Sequence, residues 1–349
     1  MKTTLITIVS EQTIPNVLFI KEMQHKVNGY AFFSTKLMEE RGKTSAIKVA
    51  CSVKEELSET IIIDQDSPFL VRQQLEHWLT SKGDDFHFMV NFTGGTKTTT
   101  LIFFNLFSRK QSSFYYMPIG KQNITQLSEN FQENTLPLTT RLNLHSYLKA
   151  KGLFYNSAEN FLFTKSQAFD LFLNYARTGF NINQFPFAQA SKFAGFELPK
   201  ENAPGSWFEE YIYYKTCDSL GLREDAAAMS VFIFIEENQE KNDMEFDLMF
   251  VKENVLYVAE CKVSMGKQPR KSALIPMQKL SALKNNFGLT TQSFLLTLSD
   301  LRLSNGLHSK DIISKCKNLS INNIADNFDF KNNNINLVEF FQTKIYGHE

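Results

Sequence analysis

Strand-like and helix-like segments alternate through the first third of the chain, and few folds accommodate that alternation. Thr4–Val9 (TLITIV) reads as a buried strand, Pro15-Asn16 opens an amphipathic helix, Tyr30–Thr35 is a second strand and Glu39–Val53 is helical. Proline is tolerated at a helix start because a first-turn N–H has no intrahelical partner to lose. Thr60–Asp64 is a third strand, and Ser67-Pro68 begins a helix in which Leu70, Leu75, Trp78 and Leu79 recur at helical spacing. Phe86–Asn91, Thr98–Phe107 and Ser113–Met117 then read strand, helix, strand. The pattern predicts a mostly parallel sheet with helices on both faces, an α/β domain over residues 1–125.

In such a sheet ligands bind beyond the carboxyl ends of the strands. Two loops fall there: Ser10-Glu11-Gln12-Thr13-Ile14-Pro15-Asn16, and Asn91-Phe92-Thr93-Gly94-Gly95-Thr96-Lys97. Paired glycines let the backbone approach a ligand, a helix start presents free N–H groups, and Lys97 adds positive charge, so the second loop can cradle an anion. It carries neither GxxxxGK[ST] nor GxGxxG. The plain alternative is a tight strand-to-helix turn with a solvated lysine.

Residues 126–200 read as a connector, a hairpin and helices, with polar residues dominant from Asn123 to about Leu142 and helical stripes over Asn143–Asn160 and Lys165–Arg177. Phe161, Phe163, Phe169, Phe172 and Phe180 crowd together there. Core packing accounts for them better than a base-stacking platform does. Pro186 and FELPKENAPGS (196–206) mark a linker into a last domain over residues 201–349.

Ser206 is the expected N-cap of a helix running to about Leu220, with Trp207, Phe208, Tyr211 and Ile212 on its apolar face. Val231–Glu236 is a strand, ENQEKND (237–243) a polar turn, and EFDLMFVKENVLYVAECKV (245–263) a strand–turn–strand. A helix over Ala273–Asn285, a strand over Ser293–Leu298 and a helix-rich tail follow. Residues two apart on a strand share a face, so Glu260 and Lys262 project together and Cys261 points the other way. A two-residue turn at Glu253-Asn254 sets Asp247 opposite Glu260, and the three groups converge. An odd turn without a bulge throws Asp247 to the other face.

Two carboxylates and an amine so placed suit metal-dependent phosphodiester hydrolysis, in which a hard divalent ion activates water and neutralises charge on the phosphoryl oxygens. Asp247 and Glu260 are the expected direct ligands, the Cys261 main-chain carbonyl a third, and Lys262 orients the attacking water. The plain alternative is a salt-bridged surface face of little energetic consequence. Against it, VLYVA (255–259) leads straight into Glu260, which implies burial, and buried charge without a partner is costly. Lys267, Arg270 and Lys271 follow and suit a nucleic-acid backbone, or simply an exposed loop.

Composition narrows the field further. Lys+Arg and Asp+Glu number 37 each, so no global basic field advertises nucleic acid and any polyanion site must be local. Cys51, Cys217, Cys261 and Cys316 show no metal-ligand spacing and fit reduced thiols. The N-terminus lacks a signal-peptide pattern and no stretch reaches membrane-spanning length, so a cytoplasmic protein is expected. The six histidines form no HExxH, and no GxSxG occurs.

SEQTIPN, NFTGGTK and FYYMPIG resemble the CARF sensory domain, and with the final hairpin the chain resembles CRISPR ancillary nucleases over nearly its full length. The resemblance implies a Rossmann-like CARF sensor followed by a restriction-endonuclease-like α/β domain. It implies a homodimer that binds a cyclic oligoadenylate, usually cyclic tetra-adenylate, across its two-fold axis. By motif position Ser10, Gln12, Thr13, Asn16, Thr93, Gly94, Gly95, Thr96 and Lys97 line the ring, with Ile119 and Gly120 near its base. The last domain is similar to the PD-(D/E)xK nuclease core at Glu209, Asp247, Glu260 and Lys262, though Phe246 stands where the family has proline. Glu209 would bind the ion through water or hold a second ion, and Gln278 would steady the lysine or the water. The activity implied is a cyclic tetra-adenylate-activated endonuclease using Mn2+ or Mg2+ on DNA and/or RNA, in type III CRISPR antiviral defence. Two rivals are a ligand-dependent nucleic-acid-binding regulator whose nuclease-like domain is inactive, and an ungated restriction-type endonuclease.

Overall fold

The structure is a computed structural model that describes residues 2–83, 85–128, 132–157, 161–185, 205–235, 244–331 and 335–346. The chain divides into two compact units, Met1–Phe154 and Tyr155–Glu349. Most of the expected linker (196–206) and the polar turn 237–243 lie outside the described residues.

The first unit contains β1 (Lys2–Ile8), α1 (Thr13–Met23), β2 (Gly29–Ser34), α2 (Lys36–Glu40), α3 (Lys43–Cys51), β3 (Ser58–Ile62), α4 (Pro68–Thr80), β4 (Phe86–Asn91), α5 (Lys97–Phe107) and β5 (Ser112–Tyr116). The polar run after residue 122 forms β6 (Asn123–Leu127) and β7 (Glu133–Pro137), and α6 (Leu144–Lys151) follows. Strand order is β3-β2-β1-β4-β5-β6-β7. The first five strands pair in parallel and the last two antiparallel, so the sheet does not stop near residue 125. β1 lies between β2 and β4, where the strand order reverses, and the loops after β1 and β4 therefore open side by side. The interior of β1 is buried as a continuous run, as a central parallel strand covered on both faces requires. One face of the sheet packs an aromatic core in which Phe33 meets Trp78 and Phe103 edge-on, and Phe88 meets Phe107.

Two helices differ from the sequence pattern. Gly42, at φ 63°, splits the expected Glu39–Val53 helix into α2 and α3. The expected Asn143–Asn160 helix ends at Lys151, because Gly152 at φ 75° closes it in the left-handed region that other residues avoid.

The second unit holds the remainder of β8 (Phe154–Asn156), α7 (Lys165–Arg177), α8 (Ser206–Leu220), β9 (Ala227–Phe234), β10 (Glu245–Lys252), β11 (Val255–Lys262), α9 (Pro269–Ser272), α10 (Leu274–Lys284), β12 (Gln292–Thr297), α11 (Lys310–Asn318), β13 (Asn323–Ala325), α12 (Asn327–Lys331) and α13 (Leu337–Gln342). Its sheet order is β13-β12-β11-β10-β9-β8. β9, β10 and β11 form an antiparallel meander, and β11, β12 and β13 run parallel. Trp207, Phe208, Tyr211 and Ile212 of α8 are buried in one cluster with Leu248, Phe250, Ala259 and Phe294 of the sheet. Gly205, not Ser206, occupies the N-cap position of α8, and no side chain caps it.

Phe163 and Phe172 are buried and Phe169 and Phe180 pack against the same core, while Phe161 is exposed. Phe172 stacks on Tyr211 at 4.0 Å and an interplanar angle of 2°, joining α7 to α8. Glu210, 1% exposed, accepts the amides of Leu162 (2.7 Å) and Phe163 (2.9 Å), which ties the approach to α7 onto α8. Among the described residues no helix is long and apolar enough to cross a membrane.

Candidate active site and ligand loops

Turn geometry decides the site in the second unit. Glu253 and Asn254 both have positive φ, 49° and 58°, as a two-residue type I′ hairpin turn needs, and asparagine is favoured in it. The even turn pairs Lys252 with Val255 and Leu248 with Ala259. Carried one step further, that register sets Asp247 opposite Glu260. Past Leu248–Ala259 the Asp247 carboxylate enters the ladder, its Oδ2 accepting the Cys261 amide at 2.7 Å.

Lys262 joins the two acids. Its Nζ lies 3.0 Å from Asp247 Oδ2 and 2.8 Å from Glu260 Oε1. Asp247 is 6% exposed and Glu260 2%, so this is no solvated surface face. Burial works against the Lys262 ammonium, but the charges of Asp247 and Glu260 outweigh it and hold its pKa above the ordinary lysine value. Burial and then the Asp247 charge push the Glu260 carboxyl up, against the pull of Lys262.

Glu209 stands in the first turn of α8, half-buried, with Oε1 turned toward Gly205. Burial, followed by the charge of Asp247, pushes its pKa up to about 8. The structure thus brings Glu209, Asp247, Glu260 and Lys262 into one electrostatic neighbourhood. Cys261 turns its thiol into the core and gives its main-chain amide to Asp247. Gln278 is exposed, whereas its neighbour Lys279 reaches both Glu260 oxygens at 3.1 and 3.0 Å. Sequence reasoning missed Lys279. The available signal was helix phase, since Lys279 stands three residues after buried Pro276 and one before buried Leu280.

The donor set suits a hard divalent cation. Asp247 and Glu260 face the ammonium groups of Lys262 and Lys279 in a mostly buried space, and burial first, then the charge of Asp247, disfavours a further negative charge on Glu209. Among the described residues no three His, Cys, Asp or Glu side chains are grouped closely enough to enclose an ion. Asp247 and Glu260 would be the direct side-chain ligands and water would complete the shell, as small hard cations accept. Beside β11 and β12 an open cavity of about 610 Å³ is lined by Lys267, Arg270, Lys271 and Arg302 together with Asp300 and Asp311.

In the first unit the loops after β1 and β4 are locked by neutral groups. Asn16, fully buried, donates to the Ile8 carbonyl (3.2 Å) and accepts from Asn91 Nδ2 (3.1 Å). Asn91 Oδ1 takes the Thr93 amide at 3.0 Å and the Thr93 hydroxyl at 2.5 Å, and Thr93 Oγ1 in turn accepts the Met117 amide at 2.9 Å. Asn16 and Thr93 therefore hold the loops together through their side chains. Gly94 packs so tightly on β1 that a Cβ there would run into the Ile8 carbonyl, and Gly95 has φ 81°. Thr96 caps α5 by accepting the Thr99 amide at 3.1 Å. Gly95, Thr96 and Lys97 are exposed at that helix start, as are Ile119 and Gly120. Ser10 and Gln12 are half-buried, and Thr13 is buried with no hydrogen-bond partner for its hydroxyl.

A charged clamp that sequence reasoning also missed fixes the loop after β1. Glu11 binds Arg41 (2.9 Å) and Lys43 (2.8 Å), and its carbonyl accepts from Lys151 Nζ at 3.3 Å. Lys151 is 5% exposed; burial, then the charge of Lys43, pushes its pKa down to about 8.

Two family descriptions match the chain, the Card1 CARF domain over residues 4–147 and the Card1-like endonuclease domain over residues 200–335. The chain carries a Card1-type CARF domain followed by a Card1-like endonuclease domain. No curated protein matches it. Protein VC1899 from Vibrio cholerae shares its fold at TM-score 0.73 and 14% identity, with 97% of this chain and 98% of that one covered. Can2 from Sulfobacillus thermosulfidooxidans, solved in complex with cyclic tetra-adenylate, superposes at TM-score 0.70 and 16% identity over 97% and 99%. A type III CRISPR defence DNA nuclease activated by cyclic oligoadenylate gives TM-score 0.57 and 14% identity, over 91% of this chain and 52% of that one. The locked loops lie in the CARF domain, and the acidic cluster lies in the endonuclease domain.

Proposed function

We propose that this protein is a metal-dependent endonuclease of type III CRISPR defence, cutting DNA and/or RNA, and that a cyclic oligoadenylate, with cyclic tetra-adenylate as first choice, activates it. The observation that carries the reading is the convergence of Asp247, Glu260 and Lys262 at a buried strand end, with Glu209 beside them. A divalent ion such as Mn2+ or Mg2+, held by Asp247 and Glu260, would supply Lewis-acid neutralisation of phosphoryl charge. Lys262, kept protonated by the two acids, is placed to hold a water or a phosphoryl oxygen by a charge-assisted hydrogen bond. Asp247 ties the Cys261 amide to its own strand and so keeps the hairpin end from shifting. Lys267, Arg270 and Lys271 would carry the nucleic-acid backbone past the site.

In the CARF domain the exposed start of α5 at Gly95-Thr96-Lys97 offers amides and a lysine to a phosphodiester ring, supported from beneath by the Asn16–Asn91–Thr93 network. Ser10, Gln12, Thr13, Ile119 and Gly120 would complete that surface, and a two-fold ring would be read by the same loops of two protomers. Activation requires that the ligand bind one arrangement of the protein better than another.

The test is cleavage of labelled DNA and RNA with Mn2+ or Mg2+, with and without cyclic tetra-adenylate. Equal rates with and without the ring would defeat activation, and a Glu260→Ala protein that still cuts would defeat the site. The rival regulator draws on the two lysines that already neutralise Glu260. It would show itself as ligand-dependent nucleic-acid binding with no cleavage under either metal.

A further inference from the structure

Two lysines meet Glu260, and they do so differently. Lys262 spans two acids, touching Asp247 and one oxygen of Glu260. Among the described residues Lys279 bonds to Glu260 alone and takes both of its oxygens, at 3.1 and 3.0 Å. Its ammonium comes from α10, a different element from the strands that carry the acids, and its side chain is 33% exposed while Glu260 is 3% exposed. The half-open partner can leave toward solvent; the buried carboxylate cannot follow it. Leaving a buried carboxylate short of a partner is costly, so the departure of Lys279 is favoured when another cation takes its place.

A hard cation needs the same oxygen lone pairs that Lys279 now occupies. Resting on the reading that Asp247 and Glu260 hold the divalent ion, we propose that Lys279 is a positioning residue that serves as a stand-in counter-ion. It holds both Glu260 oxygens in place when no metal is bound, and it releases them when metal arrives. Lys262, shared with Asp247, stays as the amine of the site. Occupancy by metal and the Lys279–Glu260 pair then exclude each other.

The inference has a thermodynamic signature that a merely structural lysine lacks. Removing a competitor must weaken the metal-free protein and strengthen metal binding together, by linkage. Mn2+ binding to the full-length protein is measured by electron paramagnetic resonance and calorimetry, alongside melting with and without Mn2+. Lys279→Met should bind Mn2+ several-fold more tightly than the wild type, melt lower without metal, and gain more from Mn2+. Lys279→Arg, which keeps the pair, should bind Mn2+ no more tightly than the wild type. In a Glu260→Gln background Lys279→Met should no longer alter affinity. Unchanged or weaker Mn2+ binding by Lys279→Met, while the wild type binds Mn2+ through Glu260, overturns the proposal and leaves the metal site standing. Absence of Mn2+ binding by the wild type and by Lys279→Met alike overturns both. A second measurement needs no variant: in protein labelled at lysine side-chain carbons, Mg2+ should shift the Lys279 methylene resonance toward that of an exposed lysine. A resonance that stays put at saturating Mg2+ overturns the proposal as well.

Discussion

The loops at the switch point of the CARF domain and the end of β11 in the endonuclease domain are both buried polar constructions, but they are built from different materials. The first is made of neutral amides and hydroxyls that satisfy one another, Asn16 to Asn91 to Thr93 to the Met117 amide, around a glycine pressed on β1. The second is made of charges held close together, Asp247 and Glu260 against Lys262 and Lys279, with Glu209 beside them. A satisfied neutral network gives shape, whatever is bound. A buried charged cluster responds to every charge added or removed, which on our proposal is how it answers a divalent cation.

That contrast can be broken by substitution. The largest effect is expected at Glu260→Gln, which keeps size and removes charge. Cleavage should fall by about 10³-fold or more while binding of the cyclic ligand is unchanged. Single-turnover kinetics and ligand titration on the same protein check this, and a loss of less than tenfold would remove Glu260 from the chemistry. Gly94→Ala comes next, because the added Cβ collides with the Ile8 carbonyl, which is backbone and has little freedom to yield. It should destabilise the CARF domain by about 2–3 kcal/mol, read from urea unfolding, and weaken ligand binding without altering Mn2+ affinity. Asn91→Ala leaves both Asn16 and Thr93 short of a partner and should cost about 2 kcal/mol. Combined with Asn16→Ala the two losses should be less than additive, which unfolding of the double variant tests.

The smallest effect sharpens the contrast from the other side, since Lys151 brings a buried charge to the Glu11 clamp of the CARF domain. Its pKa in the folded protein is lowered to about 8 from the ordinary value of 10.5. Below about pH 8 both folded and unfolded chains hold the proton and the folded one bears the burial penalty. Between about 8 and 10.5 the unfolded chain holds more protons, so stability rises with pH across that window. Lys151→Met should lose that contribution, so its urea midpoint should rise less between pH 7.5 and 9.5 than that of the wild type. Parallel slopes would place the lysine outside the buried clamp.

Some of this was legible in the residues and some was not, for identifiable reasons. The strands and helices around the CARF loops could be read because parallel strands leave continuous apolar runs and Gly-Gly before a threonine cap announces a strand-to-helix turn. The convergence of Asp247 with Glu260 hung on the parity of one turn, and Glu253-Asn254 settled it by accepting positive φ twice. Helix ends were less legible. Gly42 and Gly152 both stop helices in the left-handed region, yet a glycine inside an apolar periodicity looks tolerable until tertiary packing selects its φ.

Partners distant in sequence were invisible. Lys279 comes to Glu260 from the next helix, Lys151 comes to Glu11 from far along the chain, and Asn91 reaches Asn16 across the sheet. Local pattern, alternation and turn chemistry act between neighbours, so the amino-acid sequence by itself determined most of the order of elements and the face each acid occupies on its strand. Which cation sits on Glu260, and which hydrogen bond receives Asn16, depended on side chains that only the folded sheets bring within about 3 Å, the range over which hydrogen bonds and ion pairs act.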